Sequence, residues 1–212
     1  MGTMIQSILD ACRADSIPAG ESGLWQVKKW SISRPVFSKR ECDGKGVLIR
    51  PGSYTNLHRL TDKTMHLTVG DLIMHDEPSE LRKHLEFILK AKGNVLVSGL
   101  GLGCVVRGTL RNPRVARIVV VENSADVISL VWPWMPHIPN LRLVKADALE
   151  YAKAPDEAFD CAWHDLWTDQ DSGQPHLQTV HMRLICEMAG RIEFQGAWQF
   201  PRYYRKLTPT VI

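Results

Sequence analysis

Apolar and polar positions follow two different rhythms along this chain. Between residues 24 and 74 the apolar runs are short and β-rich, at 25–30, 46–49, 65–69 and 72–74. The turn dipeptides Asp43-Gly44, Pro51-Gly52 and Gly70-Asp71 separate them. Short alternating runs bounded by such turns predict a small antiparallel sheet or a pair of hairpins. Ahead of them, Ile5, Ile8 and Leu9 share one helical face, which predicts a helix over 4–14, ended by Pro18 and Gly20.

After residue 75 strands and helices alternate. Asp76-Glu77-Pro78 opens a helix, because acids and proline belong in a first turn; Leu81, Leu85, Ile88 and Leu89 form its apolar stripe and Gly93 ends it. Residues 95–97 read as a buried strand, followed by Gly99, Gly101 and Gly103. Cys104, Val105, Val106 and Leu110 then mark a helix that stops at Arg111-Asn112-Pro113. A strand over 118–121 leads to Glu122, and Ser124 caps a helix carrying Val127, Ile128 and Val131. Pro133 and Pro136 terminate it. Strands over 141–144 and 159–163 end in Ala146-Asp147-Ala148 and His164-Asp165. Leu177, Val180, Leu184, Ile185 and Met188 define a helix stopped by Gly190, and a last strand is predicted over 191–194.

Strands separated by helices require right-handed crossovers. The expected fold is α/β: a Rossmann-like, doubly wound, mostly parallel sheet with a small N-terminal β-rich appendage. The expected segments are an extension over 1–20, the appendage over 21–77 and the Rossmann-like domain over 78–212. Only 16 residues follow Gly196, so a terminal pair of antiparallel strands is expected to be missing or rudimentary.

Candidate chemistry concentrates in residues 95–122. Glycines at alternate positions let the backbone turn sharply and approach a ligand, since no Cβ intervenes. Glu122 follows about 20 residues on, where a ribose-binding acid is expected. Cys104 stands where a dinucleotide site wants its third glycine, so G-x-G-x-G fits nucleoside-methionine sites better. Glu122, Asp147 and Asp165 each fall just after a strand, and in an open α/β sheet those strand ends share one ligand-binding rim. The plainer readings are a tight strand–helix turn for the glycines, and helix caps or solvated loop residues for the acids.

Composition narrows the partners. Lys plus Arg is 26 and Asp plus Glu is 23, a net charge of +3 that is too small to argue for nucleic acid. The five cysteines are scattered without a C-x-x-C pair, which reads as reduced thiols. No apolar run approaches a membrane span, and no signal pattern opens the chain. A cytoplasmic protein with no membrane partner is expected. Eight histidines show no metal-ligand spacing with a third ligand, so no metal is expected. Trp167 could stack on adenine or acceptor, and Arg202-Tyr203-Tyr204-Arg205-Lys206 is basic and aromatic, as in single-strand binders.

Four stretches carry a resemblance: VLVSGLGLG at 95–103, VVVENSADVI at 119–128, KADALEY at 145–151 and FDCAWHDLW at 159–167. They resemble the class I S-adenosylmethionine-dependent methyltransferase superfamily, and within it the polyamine (spermidine) synthase branch. The resemblance implies a transferase using S-adenosylmethionine or its decarboxylated form on a small-molecule acceptor, with homodimer formation left open. It implies that Gly99, Gly101 and Gly103 lie under the methionine part, Glu122 holds the ribose hydroxyls and Asp147 the adenine amino group. Ser98, Asn123, Ala148 and His164 flank these positions and are counted with the cofactor site. Asp165 is the implied catalytic residue, beside the transferred group, with His164, His75 and Tyr54 next in line.

The chain also departs from the branch. Leu102 stands where polyamine synthases carry an acid in the glycine loop, and Thr168 where they carry a second acid after strand four, with Asp169 one step late. Ser98 replaces the usual methyltransferase acid before the first glycine. Three readings follow: methyl transfer, aminopropyl transfer to a polyamine, and a non-catalytic nucleoside-binding module. The missing acids count against the second.

Overall fold

The structure, a computed structural model, describes residues 2–38, 47–60, 71–166, 176–188 and 191–198. The chain begins with helix α1 (Gly2–Ala11). Strands β1 (Gly20–Ser22), β2 (Trp25–Ile32), β3 (Val36–Ser38), β4 (Val47–Ile49), β5 (Gly52–Arg59) and β6 (Asp71–His75) follow. Helix α2 (Pro78–Lys90) leads into the alternation β7 (Gly93–Ser98), α3 (Cys104–Thr109), β8 (Val115–Glu122), α4 (Ala125–Val131), β9 (Leu141–Lys145) and α5 (Ala148–Lys153). It ends with β10 (Cys161–His164), α6 (His176–Met188) and β11 (Phe194–Ala197).

The second half is the expected Rossmann-like α/β fold. Five strands form one sheet in the order β11-β10-β7-β8-β9, and every neighbouring pair is parallel. The chain winds outward from β7 through β8 to β9, then crosses back to β10 and β11. The crevice between β7 and β10 is therefore a topological switch point, where open α/β sheets bind ligands. Both faces of this sheet are covered, so its strands are nearly continuous in apolar residues. Val95, Val97, Ile118, Val120, Cys161 and Trp163 pack in one buried cluster with α2 and α3. Leu96, Val119, Val121 and Ala162 face Leu184 and Met188 of α6 in the other. Each such fully buried aliphatic side chain contributes roughly 1.5–3 kcal/mol.

The N-terminal strands form the antiparallel sheet β1-β2-β5-β6 and a separate β3-β4 pair. Strand β5 is not visible in the apolar pattern, since Pro51-Gly52 reads as a turn followed by polar residues. Its pairing with β2 over eight residues, from Trp25↔Arg59 to Ile32↔Gly52, makes it a strand. A bulge where β6 pairs with Leu57 and His58 breaks the register. Leu9, Cys12, Ile17, Trp25, Val27, Leu57 and Met74 join the same cluster as β7 and β8, so this sheet shares its core with the parallel one.

Other expectations shift. Helix α1 ends at Ala11 rather than at 14, because the chain turns to Asp76: Ala14 N donates to Asp76 Oδ2 at 3.0 Å and Arg13 Nε does so at 3.1 Å. Asp76 Oδ1 also accepts from Thr55 N at 2.7 Å, so one fully buried carboxylate ties α1, β5 and the start of α2 together. The buried face of α2 comprises Leu81, His84, Phe87 and Ile88 with Ser79 and Glu80. Leu85 is half-buried and Leu89 exposed, because Phe87 fills the space beside Trp163 and Phe194. Strand β11 lies at Phe194–Ala197 rather than at 191–194, fixed by its register Cys161↔Phe194 to His164↔Ala197 with β10. Helix α5 escapes the periodicity because six residues are too few for a helical repeat; its signal is the cap Asp147. The predicted strand at 65–69 and the C-terminal residues, where a terminal strand pair is expected to be missing or rudimentary, lie outside the described residues. So do the turn at Asp43-Gly44, Trp167 and the basic tail.

Candidate functional site

A cavity of about 520 Å³ opens at the carboxyl ends of β7, β8, β9 and β10. Its floor is Gly99 and Gly101; its sides are Glu122, Asn123 and Ser124 after β8, Ala146 to Leu149 after β9, and Asp165 and Leu166 after β10. Its roof comes from the antiparallel sheet: Trp25, Leu57, Arg59, Ile73 and Met74. The bulge explains why the consecutive Ile73 and Met74 both reach the cavity.

The glycine loop is held by contacts that forbid side chains. Gly99 has φ 95° and a Cβ there would run into the Asp165 carbonyl oxygen. Gly101 has φ 49° and a Cβ would lie 2.8 Å from Met74 Sδ. Gly103, at φ 72°, is the N-cap of α3 and does not wall the cavity. Leu102 is fully buried and its N–H points at Met74 Sδ, 3.2 Å away, so this place in the loop faces the roof.

Glu122 is locked against that loop. Its Oε2 accepts from Leu100 N at 2.9 Å and its Oε1 from Ser124 N at 2.8 Å. The carboxylate thus stands oriented at the cavity wall, and each oxygen has a second lone-pair direction for a ligand hydroxyl. Asp147 also lines the cavity, and it is a helix cap: Oδ1 accepts from Leu149 N at 2.8 Å and Glu150 N at 3.0 Å. The plain and the functional readings of Asp147 are compatible, since both cap bonds fall on one oxygen.

Asp165 lines the cavity with its carboxylate almost fully buried, and neither oxygen has a hydrogen-bond partner among the described residues. Burial, and then the negative charge of Glu80, push its pKa up to about 7. The Trp163 indole and the Lys83 ammonium pull the other way and do not prevail. Sequence reasoning missed Glu80, which α2 brings to this side together with His84. Glu80 is buried, accepts from Trp198 Nε1 at 2.6 Å and pairs with Lys83 Nζ at 2.7 Å. Burial pushes its pKa up, but Lys83, His75 and His84 outweigh that and leave it below the usual range. His84 is buried with its ring 5.4 Å from that of Trp163, and burial lowers its pKa to about 4.

The structure does not bring Ser98 and His164 into the cavity wall. They belong to a buried polar ladder across three parallel strands: His164 Nδ1 lies 3.0 Å from Ser98 Oγ and its Nε2 3.1 Å from Gln195 Oε1. Gln195 Nε2 in turn donates to Ile185 O of α6. That pattern assigns the proton to Nε2, with the Ser98 hydroxyl donating to Nδ1. Burial lowers the His164 pKa to about 4, so the ring is neutral. Tyr54 is also apart from the cavity, donating to Arg50 O at 2.7 Å. His75 sits on the Glu80 side, its Nε2 4.0 Å from Glu80 Oε2 and its Nδ1 3.8 Å from Glu77 Oε1.

No family model and no curated protein matches this chain. Solved structures do. A spermidine synthase from Thermotoga maritima is similar at 17% identity and a TM-score of 0.41, over 69% of this chain and 46% of the other. A spermidine synthase in complex with the transition state analogue AdoDATO is similar at 16% identity and a TM-score of 0.47, over 83% and 67%. Human methyltransferase-like protein 13 in complex with SAH is similar at 18% identity and a TM-score of 0.40, over 54% and 59%. The chain spans about half the length of the first of these. Among the described residues, no helix is long and apolar enough to cross a membrane.

Proposed function

We propose that the cavity binds S-adenosylmethionine and that the chain transfers its methyl group to a small-molecule acceptor. The observation that carries this reading is Glu122, clamped by the Leu100 and Ser124 amides beside a glycine loop at the switch point. A carboxylate fixed there suits a pair of ribose hydroxyls, Gly99 and Gly101 leave room for a methionine chain, and Asp147 suits an adenine amino group. The nucleoside supplies a sulfonium with an electrophilic methyl, so in-line placement of the acceptor provides much of the catalysis. As the acceptor bonds to the methyl carbon, the sulfur keeps the electron pair of the broken bond. The acceptor's proton passes to the Asp165 carboxylate, whose raised pKa suits a base near neutrality.

A second reading, aminopropyl transfer from the decarboxylated nucleoside, draws support from Glu80 beside Asp165, since two buried carboxylates suit an amine acceptor. Calorimetry with S-adenosylmethionine, its thioether product, NAD and ATP tests the binding step. Binding of either methionine nucleoside, with none for NAD or ATP, is expected; tight NAD binding alone would refute the proposal. Labelled-methyl capture against a panel of small amines, acids and nucleotides, run beside the decarboxylated nucleoside with putrescine, then separates the two transfers from mere binding.

A further inference from the structure

The cavity wall has a marked charge pattern. Glu122, Asp126, Asp147 and Asp165 line it, and Arg59 is the only cation among the described lining residues. A ligand bearing only positive groups would be served by the carboxylates and opposed by the guanidinium. A ligand that also carries an anion is attracted at both ends. S-adenosylmethionine and its decarboxylated form share the adenosine, the sulfonium and the ammonium, and differ in one carboxylate. We propose that Arg59 reads the methionine carboxylate, and so decides between these two nucleosides. The inference rests on the proposed nucleoside site and deepens it.

Placement supports this assignment. Leu57 pairs with Met74, whose sulfur closes over Gly101 in the loop expected to hold the methionine chain. Arg59 is the next residue on the same face of β5, roughly 6–7 Å further along the strand. Its guanidinium carbon lies 5.4 Å from the Trp25 ring centroid, a cation–π contact beside the cavity. A guanidinium matches a carboxylate in shape as well as charge, whereas an amine gains nothing from it. The antiparallel sheet thereby contributes chemistry as well as cover, bringing to the cavity wall a cation that the described strand-end lining residues do not supply.

The test is equilibrium binding of S-adenosylmethionine and of the decarboxylated nucleoside to the wild-type chain, Arg59→Met and Arg59→Lys. The wild-type chain should prefer S-adenosylmethionine. Arg59→Met should lose roughly ten- to a hundredfold in affinity for it, the range of one charge-assisted contact, while affinity for the decarboxylated form stays within about twofold. Arg59→Lys should keep part of the preference, because it keeps the charge without the fork. Arg59→Gln, which retains a planar head over Trp25, serves as a second neutral variant and should behave as Arg59→Met does. Equal weakening of both nucleosides, or an unchanged preference, would overturn the role of Arg59. A wild-type chain that binds neither would defeat the nucleoside site itself, a result distinct from those two.

Discussion

Two carboxylates in this cavity differ in what holds them, and that difference sets their expected behaviour. Glu122 takes one backbone N–H on each oxygen, so it is oriented and available to hydroxyl donors. Glu122→Gln keeps the size and removes both the charge and one acceptor, and nucleoside affinity measured by calorimetry should fall at least about tenfold. Asp165 has no such donors among the described residues and stays protonated up to about pH 7. Its folded pKa lies above the unfolded value of about 3.9. The stability it contributes is therefore complete below about pH 4 and is lost as the pH rises through about 7. Asp165→Asn removes this dependence, so its melting temperature relative to wild type should climb between about pH 4.5 and 7.5; a constant difference would mean that Asp165 is already ionised in the fold. Once an acceptor is known, the same variant should bind nucleoside normally and turn over about 10²–10⁴-fold more slowly.

At the scale of the element, the glycine loop and the helix caps separate structural from ligand-facing roles. An alanine at position 99 meets both a left-handed backbone, worth about 1–2 kcal/mol, and the fixed carbonyl oxygen of Asp165. An alanine at 103 meets the same backbone penalty but mainly the side-chain sulfur of Met135, 2.5 Å from the added carbon, which can move aside. Urea denaturation should therefore rank Gly99→Ala as more destabilising than Gly103→Ala, and only the former should abolish nucleoside binding. Asp147 offers a cleaner division. Serine caps helices as well as aspartate does, so Asp147→Ser should keep α5 and leave stability within about 0.5 kcal/mol. If Asp147 also holds the adenine, the same variant should weaken nucleoside binding; unaltered affinity would leave Asp147 as a cap alone.

At the scale of the whole molecule, a buried carboxylate outside the cavity ties three elements together. Asp76 receives Arg13, the Ala14 N–H and the Thr55 N–H, and thereby joins the N-terminal helix, the antiparallel sheet and the helix that leads to the glycine loop. Arg13 also donates to Ser53 O, which adds a second tie to the same sheet. Removing the carboxylate leaves buried N–H groups and a cation without a partner, so Asp76→Ala should cost about 3–5 kcal/mol in a urea unfolding experiment. Because the antiparallel sheet roofs the cavity, the same variant should weaken nucleoside binding although it touches no ligand.

The alternation of apolar runs with capped helices was enough to predict the parallel sheet, because strands buried on both faces leave continuous Val, Leu and Ile runs in the sequence. The spacing from Gly99 to Glu122 was equally legible, since a loop without Cβ atoms followed by a strand-end acid is a local pattern. Glu122, Asp147 and Asp165 share the cavity wall because all parallel strands end on one rim. The register of β11, the strand character of β5 and the buried face of α2 were decided by distant partners, which short stretches of sequence do not encode. Arg59 reaches the cavity wall and Glu80 comes near Asp165 by the same route, carried there by the packing of the N-terminal sheet and α2. Ser98 and His164 show the converse: adjacent to site residues in sequence, they are turned by the period-two geometry of their strands away from the cavity and toward each other.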